Sequence, residues 1–170
     1  MKIDLMMSAL AALVPLVMGF IWYNPKVFGT AWMNASGLTE EKLKGANMPL
    51  TFGLTFIFSF FIAIALHFTV IHQWGAFSAM LTGPEIMESG SDASAYFADY
   101  MNKYGANFRT FKHGALHGAM TAGLFFIMPI IAINAMFERK GFKYIAINAG
   151  YWIITLAIMG GIICQFAKVY

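Results

Sequence analysis

The stretch from Gly19 to Gly37, GFIWYNPKVFGTAWMNASG, decides the class of fold. It opens as the tail of an apolar run and closes as a polar, amphipathic segment. Between its ends lie Trp22, Trp32, Tyr23, Phe20, Phe28, Pro25 and Lys26. A membrane–water interface selects this mixture. Trp and Tyr place a ring among acyl chains and a polar atom among headgroups, while Lys extends its ammonium to water. Pro25 has no backbone donor and pushes Asn24 out of the helical region, so a helix ends here. The stretch reads as the place where a first membrane helix leaves the bilayer and the chain turns along its surface.

The rest of the chain agrees. Of its 170 residues, 59% are hydrophobic and only 11% charged, and the mean hydropathy is +0.66. Soluble domains carry roughly 25% charged residues, so the membrane class is favoured. The net charge of +3 is small and scattered, which gives no nucleic-acid footprint. The single cysteine, Cys164, lies in an apolar run and reads as a buried, inert thiol.

Working outward, residues 3–23 form a run of about the 20 residues that cross a bilayer as helix. A cleavable signal peptide is the competing reading. Lys2 is a thin basic start, however, and bulky Trp22 and Tyr23 stand where small residues would mark cleavage. The run therefore reads as a retained helix, with Pro15 inside it as a kink or the mark of a close contact. Residues 24–48 form an interfacial segment with one short helix beginning near Thr39, Glu40 and Glu41. Further spans are expected at 49–71, 110–136 and 144–166.

Residues 73–109 change character. Gly75, Gly83, Pro84, Gly90 and Gly105 punctuate them, and Glu85, Glu88, Asp92 and Asp99 make them acidic. Ser91 and Asp92 can cap a helix through DASAYFADYMNKY, whose Tyr96, Phe97, Tyr100, Met101 and Tyr104 form an apolar stripe. The segment reads as a small, partly helical cap outside the membrane. The fold expected is all-α and polytopic, a single four-helix membrane domain over residues 1–170 with an interfacial helix and this cap.

Four spans put both termini and the cap on one side. The other face carries Lys26, Lys42, Lys44, Arg139, Lys140 and Lys143, against Lys2, Lys103, Arg109, Lys112 and Lys168. The compact basic turn at 139–143 places the shorter connections in the cytoplasm by the positive-inside rule. Both termini and the 73–109 cap are then outside a bacterial inner membrane.

Several motifs together resemble a known bacterial membrane family, domain of unknown function 1761. They are Trp22-Tyr23-x-Pro25 with Phe28-Gly29, Trp32 and Gly37; His117-Gly118 in the third span; Phe137-Glu138-Arg139 in the turn; and Asn148-x-Gly150-Tyr151 in the fourth. The resemblance implies a compact four-helix membrane protein and no particular activity.

The chemistry-bearing candidates are few. His67 and His72 end the second span, and His113 and His117 begin the third, so all four histidines share one side. The i, i+4 spacing of His113 and His117 puts both on one helical face, a geometry used by metal ligands. A metal ion, a haem held between helices, a pH-responsive cluster or ordinary interfacial packing all remain open. Trp22, Tyr23 and Trp32 form an aromatic belt or stack on a ligand. Gly114, Gly118 and Ala122 make a small face that admits another helix. Asn134 and Asn148 bond a neighbouring helix or line a solute path, and Tyr151 lies beside them near the same boundary. Glu138 and Arg139 orient the turn or bind a headgroup.

The sequence contains no GxSxG, Walker loop or HExxH motif, and no catalytic constellation stands out. Three classes follow. The first is a non-enzymatic accessory subunit that binds the bilayer and another membrane protein, or itself. The second is an oligomeric small-solute transporter or channel. The third is a metal- or haem-binding membrane protein that uses the histidines.

Overall fold

The computed structural model describes residues 1–81, 88 and 90–169. Gly83, Pro84 and Glu85 of the expected cap lie outside the described residues. Among the described residues the chain is helical, without strands. Four helices are long and apolar enough to cross a membrane: Leu5–Trp22, Met48–Val70, Phe111–Phe137 and Phe142–Phe166.

The first span is two helices, α1 (Leu5–Ala11) and α2 (Val14–Trp22). The break follows from Pro15, which has no N–H to return to Ala11. The chain tightens before it, with Leu13 N donating to Leu10 O at 3.2 Å. Beyond Trp22 come α3 (Gly29–Ser36) and α4 (Glu40–Lys44). The interfacial segment thus holds two short helices where the sequence suggested one. α3 ends on Gly37 in the left-handed conformation (φ 72°), and Thr39 caps α4.

The second span is α5 (Met48–Val70), capped by Asn47. It is followed by α6 (Gln73–Met80) and α7 (Asp92–Tyr104) of the cap. Ser91 caps α7 through Ser94 N, as its sequence suggests. Phe77 and Phe97 meet at 5.2 Å and pair the two cap helices.

The third span departs from a plain α-helix. It runs as α8 (Phe111–His117), a π-helical stretch (Gly118–Ile127) and α9 (Met128–Phe137). Pro129 cannot close an α-helical bond in the first turn of α9, and Met128 N donates five residues back, to Gly123 O.

The fourth span, α10 (Phe142–Phe166), is the core. Its most apolar stretch is 56% buried, against 11–22% for the other three spans. It touches α8, the π stretch, α5, α9, α2, α1 and α3. Lipid removes the hydrophobic drive for helices to associate, so close packing must supply it. A Cβ on Gly114 would stand 2.2 Å from Gly160 O, and one on Gly118 would stand 2.1 Å from Leu156 O. Ala122 packs half-buried against the same core. The small-residue face is therefore occupied by α10 of the same chain.

The termini meet at one end of the bundle. Lys2 N donates to Val169 O at 2.8 Å, and Lys168 N donates to Asp4 Oδ2 at 2.9 Å. Arg109 ties the cap to that same end, and Gln73 ties the start of the cap to its close. Gln73 Nε2 donates to Tyr104 O, Gly105 O and Asn107 O at 3.0–3.2 Å. Arg109 donates from Nε to Cys164 O at 2.6 Å and from Nη2 to Ala167 O. Its cation sits at the carbonyl end of α10, where a helix dipole favours positive charge.

Candidate functional site

Three of the four histidines converge. α5 stops at Val70, and Ile71 is extended (φ −113°, ψ 99°), which turns His72 out of the helix line. Thr110 caps α8 by accepting from His113 N at 3.2 Å, which sets the register of His113 and His117 one turn apart. The result is a group in which one ring nitrogen from each of His72, His113 and His117 lies within 4.8 Å of the others. His113 Nε2 and His72 Nε2 are 2.8 Å apart. Ring centroids are separated by 4.5 Å (His113–His117), 4.8 Å (His72–His113) and 5.0 Å (His72–His117).

Phe108 covers this group. Its ring centroid lies 5.6 Å from that of His72 and 5.1 Å from that of His113. Its backbone holds φ 63°, a conformation an aromatic residue adopts at a cost of about 1–2 kcal/mol. His67 does not join the group. It is buried on α5, and its Nδ1 pairs with Ala63 O at 3.0 Å, one turn back on its own helix. The five-residue step from His67 to His72 leaves His67 in the core and His72 exposed.

Three clustered imidazoles present nitrogens of the kind that coordinate transition metals. A tetrahedral ion with bonds of about 2.0–2.1 Å holds its nitrogens about 3.3 Å apart, a spacing small rotations of these rings reach. A haem held by His72 and His113 needs its porphyrin between the two rings, and nitrogens 2.8 Å apart leave no such slot. Among the described residues no protein oxygen takes a ring nitrogen of any of the three. Beside His72 lies a cavity of about 270 Å³, walled by Gln73, Tyr100, Tyr104, Asn107 and Phe108.

The opposite end of the bundle gathers the remaining candidates. Trp22 Nε1 donates to Ile147 O at 3.0 Å, Tyr23 Oη to Asn148 Oδ1 at 3.0 Å, and Tyr151 Oη to Pro15 O at 2.7 Å. Asn148 Nδ2 donates to Tyr144 O at 2.8 Å, which fixes its amide orientation. Trp32 packs edge-on to Tyr23 with centroids 5.1 Å apart, and Trp22 packs on Phe28 at 4.5 Å. Burial pushes the Tyr23 phenol above its ordinary range, with the Tyr151 and Tyr144 phenols adding to the shift, so it stays a donor. After Pro25 the chain doubles back so tightly that a Cβ on Gly29 would stand 2.2 Å from Tyr23 O.

The motif residues Trp22, Tyr23, Gly29, Trp32, Asn148 and Tyr151 thus form one knot. The sequence profile of a family described as protein of unknown function, DUF1761, matches residues 6–164. The chain belongs to the DUF1761 family. The resemblance read from its motifs is borne out over nearly the whole chain. No curated protein and no solved structure matches this DUF1761 protein.

Other candidates in this DUF1761 chain stand apart. Asn134, Glu138 and Arg139 are exposed, and among the described residues their side chains make no hydrogen bond. The basic turn is anchored instead by Lys140, whose ammonium donates to Ser36 O. Sequence reasoning counted Lys140 and Arg109 only as charges that set orientation, and it did not single out Gln73 or Phe108.

Proposed function

We propose that this DUF1761 protein is a non-enzymatic integral membrane protein that binds an exchangeable divalent transition-metal ion through His72, His113 and His117. Zinc(II) and copper(II) suit three neutral imidazoles without thiolate or carboxylate. The observation that carries the reading is the convergence of three ring nitrogens within 4.8 Å from two separate segments. The strained Phe108 backbone beside them supports it. The partner-binding class loses its small-residue face, which α10 covers. The transport class loses Asn148, which Tyr23 and Tyr144 hold.

The positive-inside reading orients the protein in a bacterial inner membrane with termini, cap and histidines outside. Cysteine labelling at Asn34, Asp92 and Lys140 tests the sides; labelling of Asp92 from the cytoplasm reverses them. The metal itself is tested by elemental analysis after equilibration with zinc(II), with cobalt(II) absorption as the geometric readout. The reading expects one equivalent per chain, lost in the His113→Ala/His117→Ala double variant. An unchanged stoichiometry in that variant overturns it.

A further inference from the structure

The geometry points to a second site, at the opposite membrane boundary: a cavity that takes the head and upper chain of a single-chain lipid bearing a hydroxyl headgroup. It lies between α2, α5, the turn after Trp22 and α10, and has a volume of about 580 Å³. Ligand sites of this kind run about 300–1,000 Å³, mostly apolar with a few placed polar groups.

Its depth follows from α5. The lining residues Met48 and Thr55 are seven positions apart, which at 1.5 Å per residue is about 10 Å. The cavity therefore reaches about a third of the way through a hydrocarbon layer of about 30 Å. Phe20 and Phe52, with centroids 5.5 Å apart, stand where α2 and α5 face each other. An occupant sited there has its head at the aromatic boundary and its chain among hydrocarbon.

The head is specified by where the protons go. Four hydroxyls line the cavity: Tyr23, Tyr151, Thr51 and Thr55. Each already donates. Tyr23 Oη gives its proton to Asn148 Oδ1 and Tyr151 Oη to Pro15 O. Thr51 Oγ1 donates to Asn47 O at 3.0 Å, and Thr55 Oγ1 to Thr51 O at 2.8 Å. What these oxygens have left to offer is lone pairs, so they accept only. At the mouth the case is reversed. Asn24 Oδ1 accepts from Lys26 N at 2.9 Å, which orients the amide, and among the described residues its Nδ2 makes no hydrogen bond and can donate. A hydroxyl head meets both demands in one small group, donating inward and accepting at the mouth. An ester or quinone carbonyl cannot donate, and an ammonium cannot accept. Fatty alcohols, isoprenoid alcohols and monoacylglycerols share this chemistry.

The structure also supplies the plug. A Cβ on Gly19 would meet only Tyr151 Oη, at an ordinary 3.9 Å, and Gly19 lines the cavity, so a larger side chain there starts toward it. The test uses the full chain in phosphatidylcholine nanodiscs, titrated with a chain-brominated monoacylglycerol and with the same brominated chain as its methyl ester. Bromine quenches nearby indoles, and Trp32 lines the cavity. The quenched component is assigned to it by its loss in Trp32→Phe. Saturable quenching by the hydroxylated probe is expected at a mole fraction at least tenfold below that of the ester. Gly19→Leu should abolish it and Thr55→Val should weaken it, with helicity and zinc stoichiometry unchanged. Equal quenching by the two probes means a tail lying in a lipid-filled groove and overturns the proposal, as does saturable quenching that survives Gly19→Leu. If Gly19→Leu fails to fold, Thr55→Val decides alone, and unchanged discrimination there overturns the proposal.

Discussion

At the end of the bundle that holds the aromatic knot, polar atoms are spent on partners. Trp22, Tyr23 and Tyr151 each donate across to another segment, and Asn148 both accepts and donates. At the other end His72, His113 and His117 face one another, and among the described residues the ring nitrogens make one polar contact, between His72 and His113. The same interfacial residue types serve two ends that differ in what is left over. A satisfied network rigidifies a fold, whereas the proposed metal site rests on ring nitrogens that make few bonds within the protein. On this contrast, substitution at the knot should cost stability, and substitution at the histidines should cost only binding.

The largest effect expected is at Gly29. Gly29→Val drives a side chain into Tyr23 O and should destabilise the protein by about 3 kcal/mol, read by unfolding in mixed micelles. Wild-type stability would break the contrast at once. Next comes the Tyr23→Phe/Tyr151→Phe double variant, which removes two cross-segment hydrogen bonds and should cost about 2 kcal/mol.

Asp4 sharpens the comparison, because it is a spent group at the histidine end. Its carboxylate accepts from Met7 N and Lys168 N, and these bonds hold its pKa below the ordinary carboxylate range. Its contribution is therefore complete above that range and fades as pH falls through the lowered native value. Asp4→Ala should cost about 1 kcal/mol at neutral pH and progressively less on acidification, measured as the difference between the two unfolding curves against pH. The smallest effect is at His113. His113→Ala should leave metal-free stability within about 0.5 kcal/mol of wild type while abolishing the rise in unfolding temperature on adding zinc(II). A loss of several kcal/mol without metal would make the histidines a second knot.

Much of the fold was legible because membrane helices announce themselves locally. Apolar runs of about 20 residues, Pro15, Pro25, the Thr39 cap and the Ser91 cap are all features of neighbouring residues. The sites were less legible because they are assembled across the chain. Trp22 and Tyr23 meet Ile147 and Asn148 across 125 positions, and no periodicity reports such a pairing. The aromatic stretch and the Asn148–Tyr151 motif were therefore read as separate features when they are one structure. The i, i+4 step brought His113 and His117 together on sight. The extended Ile71, which selects His72 and rejects His67, left no mark that composition could show. The π-helical stretch was not read either, although Gly118, Gly123 and Pro129 are local features that weaken an ordinary helix there.

The centrality of α10 also sets a schedule for making the protein. The helix on which the other three spans pack is translated after all of them. Chains emerge at about 5–20 residues per second, so the earlier spans wait several seconds in the bilayer with the glycine face of the third uncovered. During that interval the insertion machinery, or lipid, must occupy the groove that α10 will fill. A ribosome that stops before Phe142 releases three helices without the surface that unites them, a natural substrate for membrane proteolysis.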